Sequence, residues 1–223
     1  MIKDPETLKK AINVLLEHKK EADDFTRSLF KFVNVREREL TIENLQKILL
    51  LDIQSRGRGL LSPDECTDII KKFNSRMGIE EINRKQGKEK FDYIYRQLIR
   101  IDQIGPKIAA VFMKNMAYYL KICPELVNFL YMPVDRHIRK IFIDKLKVID
   151  EKDVPQPSEP FNTKKNKRFQ EDLSAIHQPR IEFDLFWFAG SIFCNKRIAC
   201  HLCWIREFCK EPYIENKNLN FQP

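Results

Sequence analysis

The chain has 223 residues, with 40 Lys and Arg against 32 Asp and Glu, for a formal net charge of +8. Such length holds one large domain or two small ones with a real apolar core, and the basic excess favours a polyanionic partner over an acidic protein or a membrane surface. The opening Met1-Ile2-Lys3-Asp4-Pro5 lacks the apolar stretch of a signal peptide, and no apolar run is long enough to span a bilayer, so an intracellular protein is expected, in cytoplasm or nucleoid in a prokaryote and in the nucleus in a eukaryote.

Apolar residues return every three or four positions almost throughout, which predicts an all-α fold. Leu8, Ile12, Leu15 and Leu16 mark a first helix, Phe25, Leu29, Phe30 and Phe32 a second, and Leu45, Ile48, Leu49 and Ile53 a third begun at Thr41 and stopped by Arg56-Gly57-Arg58-Gly59. Ser62-Pro63-Asp64-Glu65 predicts a capped start for a helix through Ile69, Ile70 and Phe73 that ends near Gly78. A polar connection follows over 84–88. Helices are expected from Phe91 to Ile101 and from Lys107 to Leu120, broken at Gly105, then a short one after Cys123-Pro124 and another carrying Asp135 to Leu146 after Pro133. By composition, Val154 to Pro160 and the basic run Lys164 to Arg168 predict a linker before the cysteine-bearing end.

Two local patterns carry chemistry. Cys194, Cys200, Cys203 and Cys209 stand as C-x5-C-x2-C-x5-C, close enough in sequence to converge on one metal centre, among Lys196, Arg197, His201 and Arg206, whose charges stabilise thiolates and attract phosphates. Cys66 and Cys123 stand apart and read as ordinary buried thiols. In a reducing compartment the cluster reads as ligands before disulfides. The second pattern is Leu98 to Ala109, a helix, an apolar-Gly turn and a helix opening on Pro106 and Lys107. The free amides of such a turn, the helix dipole and the lysine suit a phosphate oxygen, which grips a backbone without reading bases. An ordinary link between packed helices reads the same way on the turn alone.

Taken together, three motifs resemble the helix-hairpin-helix (HhH-GPD) DNA glycosylases, in the endonuclease III-like branch. Ile101 to Ala109 is similar to the hairpin, Val134-Asp135-Arg136-His137-Ile138 to the aspartate motif, and the four cysteines to the carboxy-terminal [4Fe-4S] loop, in the family's order over about 98 to 209. The resemblance implies a two-lobed fold, with residues 23–134 as a helical barrel lobe holding the hairpin at 98–112. Residues 1–22 with 135–223 form the second lobe, with the cluster loop at 194–209. It implies a monomer that binds double-stranded DNA containing a damaged or mismatched base in the cleft between the lobes. Departures are visible. Gln103 stands where the hairpin usually has its first glycine and Asp102 where proline is common, which predicts a less tight turn. The first cysteine gap is one residue short, and the stretch from Lys107 to Asp135 is long, adding Tyr118 to Tyr131 as a candidate part of the lesion pocket.

Within that resemblance Lys107 and Asp135 are the catalytic candidates. Breaking an N-glycosidic bond builds positive charge on the sugar, which a fixed carboxylate stabilises. A deprotonated lysine attacks the anomeric carbon, expels the base and forms a Schiff base, after which elimination nicks the strand, the AP lyase step. Ile104, Gly105, Lys107, His137 and Arg139 are candidate DNA contacts. Gln54 is a candidate plug for the gap left by the extruded base, with Arg56 and Arg58 beside it reaching phosphates or the orphaned partner. For the cysteines, zinc is the alternative to [4Fe-4S], although structural zinc commonly uses two close pairs and here only Cys200 and Cys203 form one. Two other activities fit the same residues less fully: a monofunctional glycosylase that uses Asp135 with water, and a non-catalytic hairpin DNA-binding module. A two-metal nuclease lacks the grouped carboxylates it needs.

Overall fold

The computed structural model describes residues 1–54, 61–194 and 199–211. Among these no strand occurs, the one extended pairing being an isolated bridge between Ile2 and Ile149. The α-helices are α1 (Pro5–Glu17), α2 (Lys19–Phe32), α3 (Ile42–Gln54), α4 (Pro63–Arg76), α5 (Ile79–Arg84), α6 (Gly87–Ile99), α7 (Pro106–Lys114), α8 (Arg136–Arg139), α9 (Lys164–Ile176) and α10 (Leu185–Phe193). None is long and apolar enough to cross a membrane.

Helix starts follow local chemistry. Asp4 accepts from the Thr7 amide ahead of Pro5 in α1, and Ser62 and Glu65 exchange side-chain and backbone hydrogen bonds in a capping box at α4. The connection expected over 84–88 shrinks to Lys85 and Gln86, because Ile82, fully buried, anchors the extra helix α5.

The linker expectation is corrected by the structure. Lys164 to Arg168 form the first turns of α9, capped by the Thr163 hydroxyl accepting from the Asn166 amide. Phe169 and Leu173 bury the other face of that helix, while Lys164, Lys167 and Arg168 stay exposed, so the basic run is one side of an amphipathic helix. Val154 and Phe161 are buried as well, the latter stacked on Tyr131 at 4.4 Å.

Buried side chains gather in two cores. The first takes Phe30 to Leu130 from α2 to α7 and the turns after it, with Phe161 and Ile181 added. The second takes Leu8, Ile12 and Leu15 of α1, Ala22, and residues from Met132 onward, including Ile138, Phe169, Phe186 and Ile205. The chain crosses between them at 130–132. That crossing is held from α9, where the Gln170 amide group accepts from the Met132 N–H and donates to its carbonyl, both at 3.0 Å. Arg180 adds bonds to the Leu130 and Phe129 carbonyls and lies over the Tyr131 ring.

Two π-helical turns interrupt regular winding. Asn115–Tyr119 continues α7, and Lys140–Lys145 continues α8. The first is pinned from α3 by a buried hydrogen bond from the Asn115 amide to Asp52, 2.5 Å. π-bulges often accompany functional sites, and these two lie on the helices that carry Lys107 and follow Asp135.

Candidate active site

Lys107 stands in the first turn of α7 and Asp135 immediately before α8, and their side chains meet, Nζ to Oδ2 3.0 Å. The Asp135 carboxylate is 6% exposed and the lysine 38%. Asp135 is fixed independently of the lysine, since its Oδ1 accepts from the His137 and Ile138 amides at 2.8 and 3.0 Å and so caps α8. A carboxylate held by two backbone amides at one oxygen keeps the other for a partner, here an ammonium at the edge of solvent.

The backbone behind this aspartate is packed closely. Cβ built on Gly190 of α10 comes within 3.0 Å of Ile141 and 3.1 Å of the His137 side chain. A side chain here would press on Ile141 and His137 by a few tenths of an ångström, so glycine suits the close approach of α10 to α8 at this point. His137 is half-buried beside Asp135. Burial pulls its imidazole below the ordinary value, Arg136, Lys107 and Lys140 push the same way, and Asp135 opposes them. The ring is therefore neutral at neutral pH.

The hairpin turn forms without the expected glycine. Gln103 takes φ 72, the left-handed region, at a cost of about 1–2 kcal/mol for a residue with a side chain, and the Ile104 amide donates to the Ile101 carbonyl at 3.0 Å. The looser turn expected from Gln103 is thus replaced by a closed one that carries strain. Asp102 is paired with Lys72 at 2.7 Å. Gly105 is half-buried and borders open space on one side, with nothing within 4 Å of a Cβ built there. Ile104 differs: its side chain is buried and its amide closes the turn.

The remaining expected DNA contacts divide. Gln54 ends α3 and is exposed. Arg56 and Arg58 lie outside the described residues. The expectation for Arg139 is corrected: its guanidinium donates to the Val154 and Pro155 carbonyls at 2.8 and 3.0 Å and pairs with Glu151, tying α8 to the chain before α9 rather than facing outward.

The four clustered cysteines are half-buried. Burial pushes the Cys203 thiol up to about 11, against the Ile205 amide and with smaller help from Cys194, Cys200 and Cys209; Cys194 is raised by burial and by Cys200 and Cys209. Among the described residues no three His, Cys, Asp or Glu side chains are gathered as a metal-holding group. Trp204 between Cys203 and Cys209 is a packing residue, stacked on His18 at 4.2 Å and on Phe188 at 5.7 Å, while His201 is exposed. Cys123 is buried and Cys66 half-buried, both far from this loop in sequence.

A second ion pair was not foreseen from the sequence. Lys114, at the end of α7, meets Asp184, just before α10, and both are largely buried. Burial works against the charged lysine, but Asp184 together with Tyr119 and Asp52 outweighs it, and the ammonium is held well above its ordinary value. The pair borders a cavity of about 40 Å³ that Lys19 and Asp23 of α2, Tyr118 and Glu182 also line. Tyr118 donates to Glu182 at 2.8 Å, His177 lies 2.6 Å from the other Glu182 oxygen, and Lys19 pairs with Asp23 at 2.9 Å. The segment with Tyr118 thus contributes to a cavity wall. A signal for Lys114 was available: it follows Lys107 by seven residues, two helical turns, and so shares its face. No protein-family model, no curated protein and no solved structure matches this chain.

Proposed function

We propose that the chain is a base-excision DNA glycosylase of the helix-hairpin-helix, endonuclease III-like kind, with associated AP lyase activity through Lys107. The observation that carries this reading is the 3.0 Å contact between Lys107 and a buried, helix-capping Asp135. These two residues lie 28 positions apart in sequence, and the fold brings them into contact. Two separate hydrophobic cores, with Lys107 on a helix of the first and Asp135 at the start of a helix of the second, support the two-lobed reading.

In this reading the base leaves the duplex, and Asp135 stabilises the positive charge growing on the sugar as the glycosidic bond breaks. The Lys107 amine, its proton lost, attacks the anomeric carbon while the bonding electron pair departs with the base. Ring opening gives the Schiff base, and loss of a proton from the adjacent sugar carbon expels the 3′ phosphate. Asp135 touches Nζ and is the group placed to move protons in these steps. Gly105 and the start of α7 hold a phosphate, and Gln54 fills the vacated stack. Cys194, Cys200, Cys203 and Cys209 would hold a [4Fe-4S] cluster, which would shape the basic loop and take no part in the chemistry.

Borohydride trapping on duplexes with a panel of damaged bases and with an abasic site tests this. A covalent adduct formed by the wild type and lost in Lys107→Ala is expected. Base release that needs Asp135 without any adduct would replace the lyase reading by a monofunctional one, and neither adduct nor release would leave a DNA-binding module. Iron and sulfide analysis of purified protein should give about four of each per chain, whereas one zinc would overturn the cluster assignment.

A further inference from the structure

Lys107 and Lys114 lie on one face of α7, about 10 Å apart along its axis, and each crosses to an aspartate that flanks a helix of the second core. α8 and α10, which follow those aspartates, pack on each other. The two ion pairs therefore mark the ends of one seam. At the outer end stand the groups assigned to the sugar. The inner end is the cavity beside Lys114, at a distance that a nucleobase and one hydrogen bond together roughly span.

The cavity wall is polar in an unusual way for a place so enclosed. Glu182 is engaged by Tyr118 and His177, and Asp23 by Lys19. Lys114 and Asp184 use one bond on each other, which leaves the ammonium further N–H groups and the carboxylate further lone pairs. Side by side they offer a donor and an acceptor. Among ring edges, a lactam matches such a pair best, because its carbonyl oxygen carries more negative charge than a bare ring nitrogen and its ring N–H is more acidic than an amine. Trp187, on the rim and 37% exposed, gives a face for stacking. The present volume of about 40 Å³ suits a few waters, so entry of a base displaces Lys19 and Trp187 at the rim, both partly exposed.

We infer that Lys114 and Asp184 form a base-reading site at the inner end of the seam, with Lys114 donating to the carbonyl and Asp184 accepting from the adjacent ring N–H of an extruded lactam base. The ligand class is oxo-bases such as 8-oxoguanine and uracil, in preference to alkylated adenines. This rests on the glycosylase reading above, and goes beyond it by naming the residues that choose the substrate.

The test compares base excision with trapping on abasic DNA, which needs the outer pair and offers no base to read. Wild type is assayed on duplexes carrying 8-oxoguanine, uracil, 1,N6-ethenoadenine and an abasic site, beside the double variant Lys114→Met/Asp184→Leu, which removes both charges together. Excision of an oxo-base by the double variant should fall about 100-fold or more further than abasic trapping does. Wild type should prefer the oxo-bases to ethenoadenine. Equal losses in the two assays, or an ethenoadenine rate matching the best oxo-base, overturn the site. Asp184→Asn keeps the shape and gives the same comparison if the double variant does not fold. Wild-type trapping on abasic DNA with no excision of any base also overturns it while leaving the lyase reading intact; absence of trapping and excision removes the glycosylase reading itself.

Discussion

Lys107 meets Asp135 where the seam opens to solvent, and Lys114 meets Asp184 two turns deeper, where both partners are buried. The residue types are the same and so is the supporting helix. The difference lies in what else holds each carboxylate. Asp135 caps α8 through two backbone amides and stays in place whatever Lys107 does, whereas Asp184 makes no side-chain cap at α10 and is matched by its lysine. The Asp135 carboxylate therefore keeps its place without its lysine, while that of Asp184 depends on Lys114.

The largest expected effect breaks the inner pair. Asp184→Ala leaves a buried ammonium without its counter-charge and should cost about 3–5 kcal/mol in urea denaturation, while Lys114→Met/Asp184→Leu should recover most of that loss. Lys107→Ala, at a half-exposed pair, should cost about 1 kcal/mol or less. Equal penalties for Lys107→Ala and Asp184→Ala would erase the distinction between the two ends.

Next comes the cap. Asp135→Ala should lower stability by about 1–2 kcal/mol through loss of the α8 cap, while Asp135→Asn, an equally good capping residue, should leave stability nearly unchanged. On the proposed function, the same Asn variant should still slow base excision by about 100-fold or more, because it removes the charge assigned to the sugar. An Asn variant that is as active as wild type would reduce Asp135 to a cap.

A smaller effect should appear at high pH. The folded state holds Lys114 above its ordinary value of 10.5. A raised lysine adds stability that is fully present below the unfolded value and lost as pH rises through the folded one, so stability should decline from about pH 10.5 upward. The double variant Lys114→Met/Asp184→Leu should show a shallower decline over that range.

Helix positions were largely legible because caps and apolar spacing are local. Ser62 with Glu65, Asp4 with Pro5 and the i, i+4 apolar residues of α1 and α3 act within a turn or two. The catalytic candidates were legible through motif order, and the structure brings Lys107 and Asp135 into contact. What composition misread was Lys164 to Arg168, where five polar residues beside a proline-rich stretch resemble a linker until Phe169 and Leu173 show which face is buried. Arg139 misled for a related reason: a lone arginine gives no sign of whether carbonyls from a distant turn will claim it. Asp184 was hidden inside the aromatic run Phe183 to Phe188, and its meaning depends on a lysine 70 residues earlier. Pairings of that separation are set by packing, which one sequence does not display.

The finest probe of the outer end is the His137 imidazole, whose titration by NMR reports the charges around it. In the wild type it should titrate below 6.5, with burial as the main cause. Asp135 raises it and Lys107 lowers it, so Asp135→Asn should move the titration further down and Lys107→Ala should move it up. A buried neutral histidine also destabilises the fold as pH drops through 6.5, because the unfolded chain takes up a proton that the folded one resists. His137→Gln should flatten that acid decline. Shifts of the same sign in Asp135→Asn and Lys107→Ala would mean that rearranged packing, rather than the two opposed charges, governs this end of the seam.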